Sequence, residues 1–467
     1  MTDNAYTKQP NDFTQNIGNG SYSTADSYVK QVWDGRYTGI RMCNQLLENI
    51  DRVPDLDPEL KKRYIGEAKV LRAYNYYELY TKFGDVPYTT KVLSIKESMS
   101  IARTDRATVI ANMLADLDEV INGNYLPASY DADNKGRITR WAAMAIKAKI
   151  YLFEGNWTQV KNITSTIMTE GGFRLFGSYA GLFEIANEYN SEVILDAQYR
   201  PTSREHQMMY AFLPPSLGGY SQLSPLQELV DSYIMLDGKT IRETGTSFDE
   251  SNPYANRDPR LKATVMYTGN SYTLADGTEV VINCEKGEGK DGYGVGSDCS
   301  ATGYYIKKYW DNTYRATLYS GLNPILIRYA DILLMNAEAL AELGELDKTA
   351  WDATIKPIRD RAGFTLASAV EFPEGASKDK LIEIVRNERR SELALEGHRH
   401  KDIIRWRIAD NVLNGWCHGL KTNDVVGTDD GYVRVENRTF NANRHYLWPI
   451  PQAERDLNGN LEQNPNW

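Results

Sequence analysis

The strongest constraint on the fold is a helical hydrophobic periodicity that is interrupted by one long stretch without it. Seven segments carry apolar residues at three- and four-residue spacings, the pattern of a helix that buries one face. Turn residues agree with the predicted ends, because Gly84, Gly155 and Gly344 each follow a predicted last turn. The predicted helices are 28–50, 58–83, 106–121, 139–153, 324–343, 349–361 and 378–396.

Two of these helix ends resemble each other. "AKIYLFEGNW" (148–157) and "AEALAELGEL" (337–346) both place a small residue seven positions before a glycine and an apolar residue two positions after it. This pattern is typical of tetratricopeptide-like helical hairpins, which stack because one hairpin cannot bury its apolar face alone. We therefore predict a mainly α fold, in which a scaffold of tetratricopeptide-like helical pairs carries a large, irregular, loop-rich insert with short strands.

The position of the insert gives the predicted organisation of the chain. Residues 1–200 are expected to form an N-terminal helical scaffold with a ligand-facing N-terminal segment, and residues 324–467 a C-terminal helical scaffold with an extended tail. Residues 201–323 are the insert and the predicted ligand-binding part. We expect the three segments to form one compact unit.

Charge and hydropathy exclude several classes of protein. The formal net charge of −10 argues against a surface for nucleic acid or anionic lipid, which needs clustered Lys and Arg. No apolar run approaches the roughly 18 residues that a membrane-spanning helix requires. The N-terminus "MTDNAYTKQPNDFTQ" lacks the basic-then-apolar order of a signal peptide, so we expect either a cytosolic protein or a chain that starts downstream of a removed export signal.

The four cysteines, Cys43, Cys284, Cys299 and Cys417, show no CxxC spacing, so we expect no zinc site and no other cofactor. Cys284 and Cys299 flank a glycine-rich loop. They either form a disulfide in an oxidising compartment or are two buried thiols.

One charged segment looks like catalytic machinery. "IVRNERRSELALEGHRHKDIIRW" (384–406) places Glu388, Glu392 and Glu396 at four-residue spacing. Paired carboxylates can perform general acid–base catalysis, but basic side chains are available nearby to neutralise these three. We interpret the segment as a scaffold held by an ion-pair lattice, in which the available basic partners are Arg389, Arg399, Lys401 and Arg405.

Other strings match functional motifs only in part. His398 and His400 lack the further converging ligands that a metal site needs. "GEGKDG" (287–292) fits GxGxxG, yet no helix is predicted after it to bind a pyrophosphate. "DADNKGRITR" (131–140) begins like a calcium loop, but alanine stands where the bidentate glutamate is required. No GxSxG, HExxH or Walker sequence is present, so we predict that the chain is not an enzyme, with a carboxylate-based glycosidase as the open alternative.

Tyrosine is the unusual component of the insert. Of 31 tyrosines in the chain, 12 fall between residues 200 and 323. "GYYIKKYWDNTY" (303–314) combines four of them with Trp310 among Lys, Asp and Asn. Sugar rings stack their C–H faces on flat aromatic rings, and their hydroxyl groups need amide and carboxylate partners. The composition favours a carbohydrate site, although packing of these rings against the helices explains any one of them equally well.

Several strings resemble one known family. "ERRSEL", "EGHR" and "DIIRW" (within 388–406) resemble the C-terminal hallmark of SusD/RagB-family proteins. "RYADILLMNAEALAELG" (328–344), "SPLQELVDSYIMLDGK" (224–239) and "NRDPRLKATV" (256–265) resemble further segments of that family. "WDGRYTGIRMCNQLLENI" (33–50), "GEAKVLRAYNYYELYTKFGDVPY" (66–88) and the C-terminal "YLWPIPQAERDLNGNLEQNPNW" (446–467) are similar as well, in the order the family has them.

The resemblance implies an outer-membrane lipoprotein that faces outward from a Gram-negative cell. Such proteins capture oligo- or polysaccharides, or in some members peptides, and cover a SusC-like, TonB-dependent transporter; they are not enzymes. Their export signal, lipid-bearing cysteine and first helix would precede "TDNAY" (2–6), so we expect this chain to begin downstream of them.

The resemblance also implies where the ligand binds. Family sites draw on the segment before the first scaffold helix and on the loops after the "RDPR" segment. The predicted carbohydrate contacts at these places are Asn4, Tyr6, Tyr22, Tyr272, Tyr293, Tyr304 and Trp310. Two alternatives stay open: a helical-repeat adaptor that binds only peptide or protein, and a glycoside hydrolase.

Overall fold

The computed structural model describes residues 1–8, 14–311, 313 and 318–467. Its α-helices are α1 (Thr14–Asn19), α2 (Ser27–Asn49), α3 (Pro58–Phe83), α4 (Ile95–Ser98), α5 (Arg106–Asn122), α6 (Arg140–Phe153), α7 (Trp157–Glu170), α8 (Met208–Phe212), α9 (Gln227–Ser232), α10 (Pro259–Thr264), α11 (Tyr329–Leu343), α12 (Lys348–Ala362), α13 (Ala367–Val370), α14 (Lys378–Glu392), α15 (Arg399–Arg405), α16 (Ala409–Val412) and α17 (Gln452–Leu457). Short 3₁₀ turns cover Ile50–Arg52, Ala132–Asn134, Gly181–Phe183, Ile185–Asn187 and Pro215–Leu217.

The strands are short and form small antiparallel sheets. They are β1 (Ala5–Thr7), β2 (Val193–Asp196), β3 (Leu223–Pro225), β4 (Val265–Met266), β5 (Ser271–Thr273), β6 (Glu279–Val281), β7 (Tyr305–Ile306), β8 (Ile325–Arg328), β9 (Gly415–Lys421), β10 (Thr428–Asp429) and β11 (Tyr432–Arg438). β1 pairs with β3, β2 with β8, β4 with β7 and β5 with β6, while β10, β11 and β9 form a three-stranded sheet in that order.

The predicted mainly α fold with a loop-rich insert is confirmed, and two predicted helices need correction. The predicted helix 324–343 begins with β8, because "ILIR" pairs with β2 and only Tyr329 starts the helix. The predicted helix 378–396 ends at Glu392, since Leu395 takes a left-handed φ of +63° that an α-helix does not accommodate. Helix α7 and strands β9 and β11 were not predicted.

The chain divides into two compact units that each combine separate segments. The larger unit contains Met1–Asn19, Met168–Asp402 and Asn411–Thr439, and the smaller unit contains Gly20–Ile167, Ile403–Asp410 and Phe440–Trp467. The predicted division at residues 200 and 323 follows chain order instead, and it stays a prediction about which segment binds ligand.

In the smaller unit, the buried side chain of Arg72 joins three helices by hydrogen bonds. Arg72 on α3 donates from Nε and Nη2 to both carboxylate oxygens of Asp116 on α5, at 2.7–2.9 Å. Its Nη1 donates to Asn44 on α2 at 2.9 Å. Because Arg72 is 4% exposed, this group ties three helices together in the interior and fixes their register.

Of the apolar clusters in the larger unit, two lie in different segments of the chain. One cluster joins α11, α12 and α14 through residues such as Leu334, Trp351 and Val385. The other lies inside the insert and includes Tyr233, Met266 and three further tyrosines. The insert therefore has its own core, and much of its tyrosine content packs that core.

A buried ion-pair network links the helices of the larger unit to the insert. It contains five carboxylates and five basic groups, and each of these side chains is at most 8% exposed. Its members are Glu192, Asp258, Glu388, Glu392 and Glu396 with Arg260, Lys308, Arg328, Arg359 and Arg361. Charges balance within the network, which offsets the cost of burying each one.

Glu392 is at the centre of this network. Its carboxylate lies 2.6 Å from Arg328 Nη1 and 2.9 Å from Arg260 Nη1, and it also contacts Arg361. Burial alone would raise the pKa of the Glu392 carboxyl, but the guanidinium groups of Arg361, Arg328 and Arg260 hold that pKa well below its usual range. The carboxylate therefore stays charged, as a structural role requires.

The scaffold interpretation of the acidic segment is thus confirmed, although its partners differ from those expected. Arg389 bonds instead to Asp331 at 2.6 Å and to Asp402 at 2.9 Å. Arg399 bonds to Asp3 at 2.7 Å. The glutamates pair with bases from distant segments, because Arg389 and Arg399 are already bonded to other carboxylates.

Three further observations bear on the expected classes. Among the helices of the described residues, none combines the length and apolar character needed to cross a bilayer. In the same part of the chain, no three His, Cys, Asp or Glu side chains converge as metal ligands would. Cys284 and Cys299 are both buried free thiols, so the disulfide alternative is wrong for this structure.

Candidate functional site

A cavity of about 670 Å³ in the larger unit has a mostly polar lining and is called here the Tyr432 cavity. Three tyrosines line it: Tyr254, Tyr304 and Tyr432. The polar lining consists of Gln227, Glu250, Ser251, Asn252, Thr268, Glu285, Lys286, Lys421, Thr422, Asn423 and Asp424, with Pro253 among them. The volume falls in the range of typical small-ligand sites, and the lining mixes aromatic rings with donors and acceptors.

The β10–β11 hairpin places Tyr432 at the cavity. Asp430 and Gly431 join the two strands with φ of +49° and +85°, the two positive angles of a type I′ turn. A Cβ at Gly431 would lie 2.8 Å from the carbonyl oxygen of Thr422, so only glycine fits there. This turn holds the half-buried Tyr432 opposite Lys421 of β9, with which it pairs in the sheet.

Two ion pairs connect the walls of the cavity. Lys286, in the loop after β6, bonds to Asp424, in the loop between β9 and β10. Lys421 lies 2.8 Å from Glu250, in the loop before α10. These side chains are between 39% and 70% exposed, so each pair contributes little stability but keeps donors and acceptors at the cavity surface.

Hydrogen bonds fix the floor of the cavity. The hydroxyl group of Tyr304 donates to Gln227 Oε1 at 2.6 Å and lies 3.2 Å from the hydroxyl group of Tyr254. The ring of Tyr254 stacks on that of Tyr267, with centroids 4.0 Å apart and an interplanar angle of 15°. Tyr254 is therefore held in one orientation, and its pKa is raised by burial, so the hydroxyl group stays protonated as a hydrogen-bond donor.

His418 on strand β9 connects the β9–β10 wall of the cavity to helix α9 by hydrogen bonds. Its Nδ1 lies 2.8 Å from Glu228 Oε1, and its Nε2 lies 3.0 Å from Asp429 Oδ2. The hydrogen bond with Glu228, followed by that with Asp429, raises the pKa of this histidine. Both ring nitrogens face carboxylates, so the imidazolium form is the one that satisfies both contacts.

Two of the residues predicted from the sequence lie at this cavity. Tyr304 lines it through its hydroxyl group, while its ring is 2% exposed and packs in the core of the insert. Tyr293 is half-buried and lies beside the cavity wall, because its backbone bonds to Cys284 and Gly287, which flank the lining residues Glu285 and Lys286. Burial of the Tyr304 ring leaves its hydroxyl group, and not its face, to contact a ligand.

Tyr272 and Trp310 lie together elsewhere in the insert. Tyr272 is fully buried, and its hydroxyl group donates to the carbonyl oxygen of Ile306 at 2.8 Å. Trp310 is half-buried and packs against the β5–β6 hairpin. Its ring centroid lies 5.0 Å from that of Tyr272, and its Nε1 donates to the carbonyl oxygen of Thr273. Tyr272 thus offers no ring face to a ligand in this conformation. A ligand contact by Trp310 stays a prediction. Asn312 and Tyr314 of the same aromatic stretch lie outside the described residues.

Asn4 and Tyr6 lie near a second cavity of about 400 Å³, called here the Trp416 cavity. Its lining comprises Asp3, Glu228, Asp231, Ser232, Arg242, Asn387, Arg390, Asn411, Val412, Asn414, Gly415, Trp416, Cys417 and Arg438. Asn4 is buried and accepts a hydrogen bond from Arg390 at 2.8 Å. Cys417 and Arg438 both influence the pKa of the half-buried Tyr6. The N-terminal segment therefore supports this second cavity.

Tyr22 belongs to the smaller unit and is 4% exposed there. Its ring packs against Trp467 and His445, with centroids 4.8 and 5.1 Å away. The smaller unit also contains a cavity of about 530 Å³, but Tyr125 is the only aromatic residue in its lining. Tyr22 therefore packs in the core of the smaller unit and does not line this cavity.

Tyr254, Tyr432 and Trp416 were missed in the sequence. The string "TDDGYVRVENR" (428–438) carried a usable signal, because Asp-Gly followed by alternating residues is typical of a β-hairpin. For Tyr254 and Trp416 no local signal exists, since their position at a cavity depends on segments far away in the chain.

Comparison with known proteins adds family information to this geometry. A family model described as "SusD family" matches residues 182–467, and one described as "Starch-binding associating with outer membrane" matches residues 1–152. The SusD-like protein P25 of Formosa agariphila is 27% identical over 410 residues, which cover 82% of this chain and 71% of that protein.

Solved structures resemble the whole chain. The crystal structure of a SusD-like carbohydrate binding protein from Bacteroides fragilis is 29% identical, with a TM-score of 0.89 over 99% of this chain and 91% of that one. A laminarin binding SusD-like protein is 25% identical, with a TM-score of 0.73 over 100% of this chain and 92% of that one.

Proposed function

The chain belongs to the SusD family, and from that membership we propose that it is a glycan-binding protein of the outer membrane that uses the Tyr432 cavity as its ligand site. The observation that carries the proposal is the grouping of two half-buried rings, Tyr254 and Tyr432, and the hydroxyl group of Tyr304 with amide, carboxylate and ammonium groups around one cavity. Aromatic rings stack on sugar faces, and the polar groups replace the hydrogen bonds that sugar hydroxyls lose with water. The carbohydrate and laminarin binding of two similar proteins supports the same class of ligand.

The charges of the cavity favour an uncharged glycan. The lining contains three carboxylates, Glu250, Glu285 and Asp424, and only two lysines. Each lysine is bonded to one of these carboxylates. A sulfated or uronic acid chain would meet excess negative charge and would have to break an existing pair to reach a cation. A neutral chain needs only hydrogen bonds and stacking.

The same charges support binding without catalysis. A glycosidase requires one carboxylic acid with a raised pKa and a second carboxylate at a defined distance. In the Tyr432 cavity, the hydrogen bond from Lys286 lowers the pKa of Asp424. Asp424, held in its charged form, is therefore not suited to donate the proton that glycoside cleavage needs.

Delivery to a SusC-like, TonB-dependent transporter and attachment through an N-terminal lipid are the further parts of the proposal. The family model that describes starch binding in association with the outer membrane supports this location. Binding at such a shallow polar site is expected to be weak, with dissociation constants of roughly micromolar to millimolar. Weak binding suits capture followed by release to a transporter.

Isothermal calorimetry of the purified chain against neutral and anionic polysaccharides tests the proposal. We expect saturable binding of at least one neutral glycan, and Tyr432→Ala should weaken it about tenfold or more, the loss of one well-formed aromatic contact. Tyr319→Ala is the matched control, because Tyr319 is an exposed tyrosine of the larger unit outside the cavity lining.

The outcomes separate the competing functions. Binding that Tyr432→Ala leaves unchanged would move the ligand site away from this cavity. If the wild-type chain binds none of the polysaccharides, the peptide- or protein-binding adaptor is favoured. If new reducing ends are released during incubation, the hydrolase is favoured. Anionic chains that bind more tightly than neutral ones would refute the charge argument alone.

A further inference from the structure

The Trp416 cavity presents an exposed aromatic ring within a polar, charge-balanced lining. Trp416 is 44% exposed, which is unusual for the largest apolar side chain unless it has a partner. On one side its ring faces the guanidinium group of Arg434, 5.6 Å from the centroid. Exposed asparagines at positions 411 and 414 and the half-buried Asn387 add amide groups around the ring.

The charged groups of this cavity already have partners, and Arg438 bonds to Glu436 outside the lining at 3.1 Å. Asp3 bonds to Arg390 at 3.0 Å, and Arg242 bonds to Asp231 at 3.1 Å. Glu228 bonds to His418 at 2.8 Å. The cavity therefore presents hydrogen-bonding groups and a ring face without a net charge to attract an ion. As in the Tyr432 cavity, an aromatic ring lies among hydrogen-bonding side chains, but here the acidic and basic groups balance.

The Gln227 side chain links the linings of the two cavities. Gln227 lines the Tyr432 cavity, where its Oε1 accepts the 2.6 Å hydrogen bond from Tyr304. Its Nε2 donates to Asp231 Oδ1 at 2.7 Å, and Asp231 lines the Trp416 cavity. The linings of the two cavities thus meet on helix α9, at Gln227 and Asp231.

Strand β9 gives the length of the combined surface. It carries Trp416 near one end and Lys421, which lines the Tyr432 cavity, at the other. Five residues of extended strand span about 17 Å. This distance exceeds one sugar ring and corresponds to several units of a glycan chain.

We propose that the Trp416 cavity is a second subsite of the same ligand surface, which takes the continuation of a neutral glycan chain whose first part occupies the Tyr432 cavity. The proposal rests on the proposed function and goes beyond it by assigning a minimum ligand length and a second aromatic contact. A short oligosaccharide fills the Tyr432 cavity alone. A longer one crosses Gln227 and stacks on Trp416, so affinity increases with chain length until Trp416 is reached.

Calorimetric titration with a size series tests this assignment. The probes are laminari-oligosaccharides from the disaccharide to the octasaccharide, with the matching xylo- and manno-oligosaccharides run alongside. In the wild-type chain we expect affinity to rise in a step at intermediate length. Trp416→Ala should remove that step, with a loss of about tenfold for the octasaccharide and no change for the disaccharide.

Two further variants keep the result interpretable. Trp416→Tyr retains a ring face and should restore most of the step, whereas Tyr432→Ala should weaken binding at every length. Thermal unfolding of each variant verifies that the fold is intact, and Trp416 is exposed enough that its removal leaves the core unchanged.

Each outcome has one meaning. Loss confined to the longer oligosaccharides supports the second subsite. Equal loss at all lengths, or no loss at any length, overturns the second subsite while the proposed function stands. If the wild-type chain binds none of the three series and no neutral polysaccharide, the proposed function fails and the second subsite fails with it.

Discussion

The ion-pair network and the Tyr432 cavity contain the same kinds of residue in opposite surroundings. In the network, five carboxylates and five basic groups are at most 8% exposed and bond only to one another and to neighbouring protein groups. In the cavity, the two ion pairs are 39–70% exposed. A buried ion pair holds its side chains in place, because a buried charge cannot exchange its partner for water. Exposure keeps the partner exchangeable, which is what a ligand site requires.

The same contrast holds for the aromatic residues. Tyr272 is fully buried, with its hydroxyl group satisfied by the backbone. Tyr432, on a short hairpin, keeps part of its ring at an open cavity. Tyrosine content alone therefore does not identify a carbohydrate site, since the core of the insert uses the same residue.

The largest expected effect is on the network. Glu392→Gln leaves Arg260, Arg328 and Arg361 without a shared carboxylate, and the free energy of unfolding should fall by about 3–5 kcal/mol. Urea unfolding followed by circular dichroism measures this loss. Glu250→Gln, which breaks the exposed pair with Lys421, is the control and should cost less than about 1 kcal/mol. Equal effects of the two substitutions would remove the distinction drawn between these regions.

A smaller effect separates the two kinds of tyrosine. Tyr272→Phe removes a buried hydroxyl group and leaves the carbonyl oxygen of Ile306 without its partner, so we expect a loss of about 1–3 kcal/mol in unfolding free energy. Glycan affinity should stay unchanged once the variant is folded. Tyr432→Phe should keep stability and lower affinity. If Tyr272→Phe weakens binding as Tyr432→Phe does, the core assignment of Tyr272 is incorrect.

The smallest expected effect concerns pH and the cavity wall. Because the folded pKa of His418 lies above its ordinary value of 6.5, the contribution of its bonds to Glu228 and Asp429 is complete below that value. The contribution disappears as the pH rises through the raised pKa. Asp429 also bonds to Arg434, so one contact of the wall persists at high pH.

His418→Gln should accordingly cost about 1 kcal/mol or less at pH 5.5 and nothing measurable at pH 9. Thermal unfolding of both chains across this interval measures the difference. A cost that is constant with pH would show that the charge of His418 has no part in holding the wall.

Much of the fold was predictable because helical periodicity is a local property. The prediction 58–83 matches α3, and 349–361 lies within one residue of α12 at each end. The strand β8 was mistaken for the first turn of α11, since "PILIRYADILLM" (324–335) is largely apolar across the boundary between the two elements. Its pairing partner β2 lies more than a hundred residues away. Long-range pairing of this kind leaves no periodic signal.

The residues predicted for the ligand site stay a prediction, and they differ in where they lie relative to the Tyr432 cavity, whose lining also draws on residues 421–432 outside the predicted insert. Tyr304 and Tyr293 lie at or beside the Tyr432 cavity, while Tyr272 and Tyr22 pack in cores. The rings that the sequence analysis missed, on Tyr254, Tyr432 and Trp416, are at the cavities because separate loops meet there. Which side of a ring faces water depends on those contacts and not on its neighbours in the sequence.

The sequence by itself determined that this chain forms amphipathic helices around a tyrosine-rich, loop-rich insert, and that it resembles the SusD family, because both follow from residue order alone. Only the tertiary structure decided which glutamates lost contact with water and which tyrosines kept it. The physical reason is that burial is set by the packing of segments distant in the chain. Burial in turn decides whether a charge or a ring stabilises the protein or stays available to a ligand.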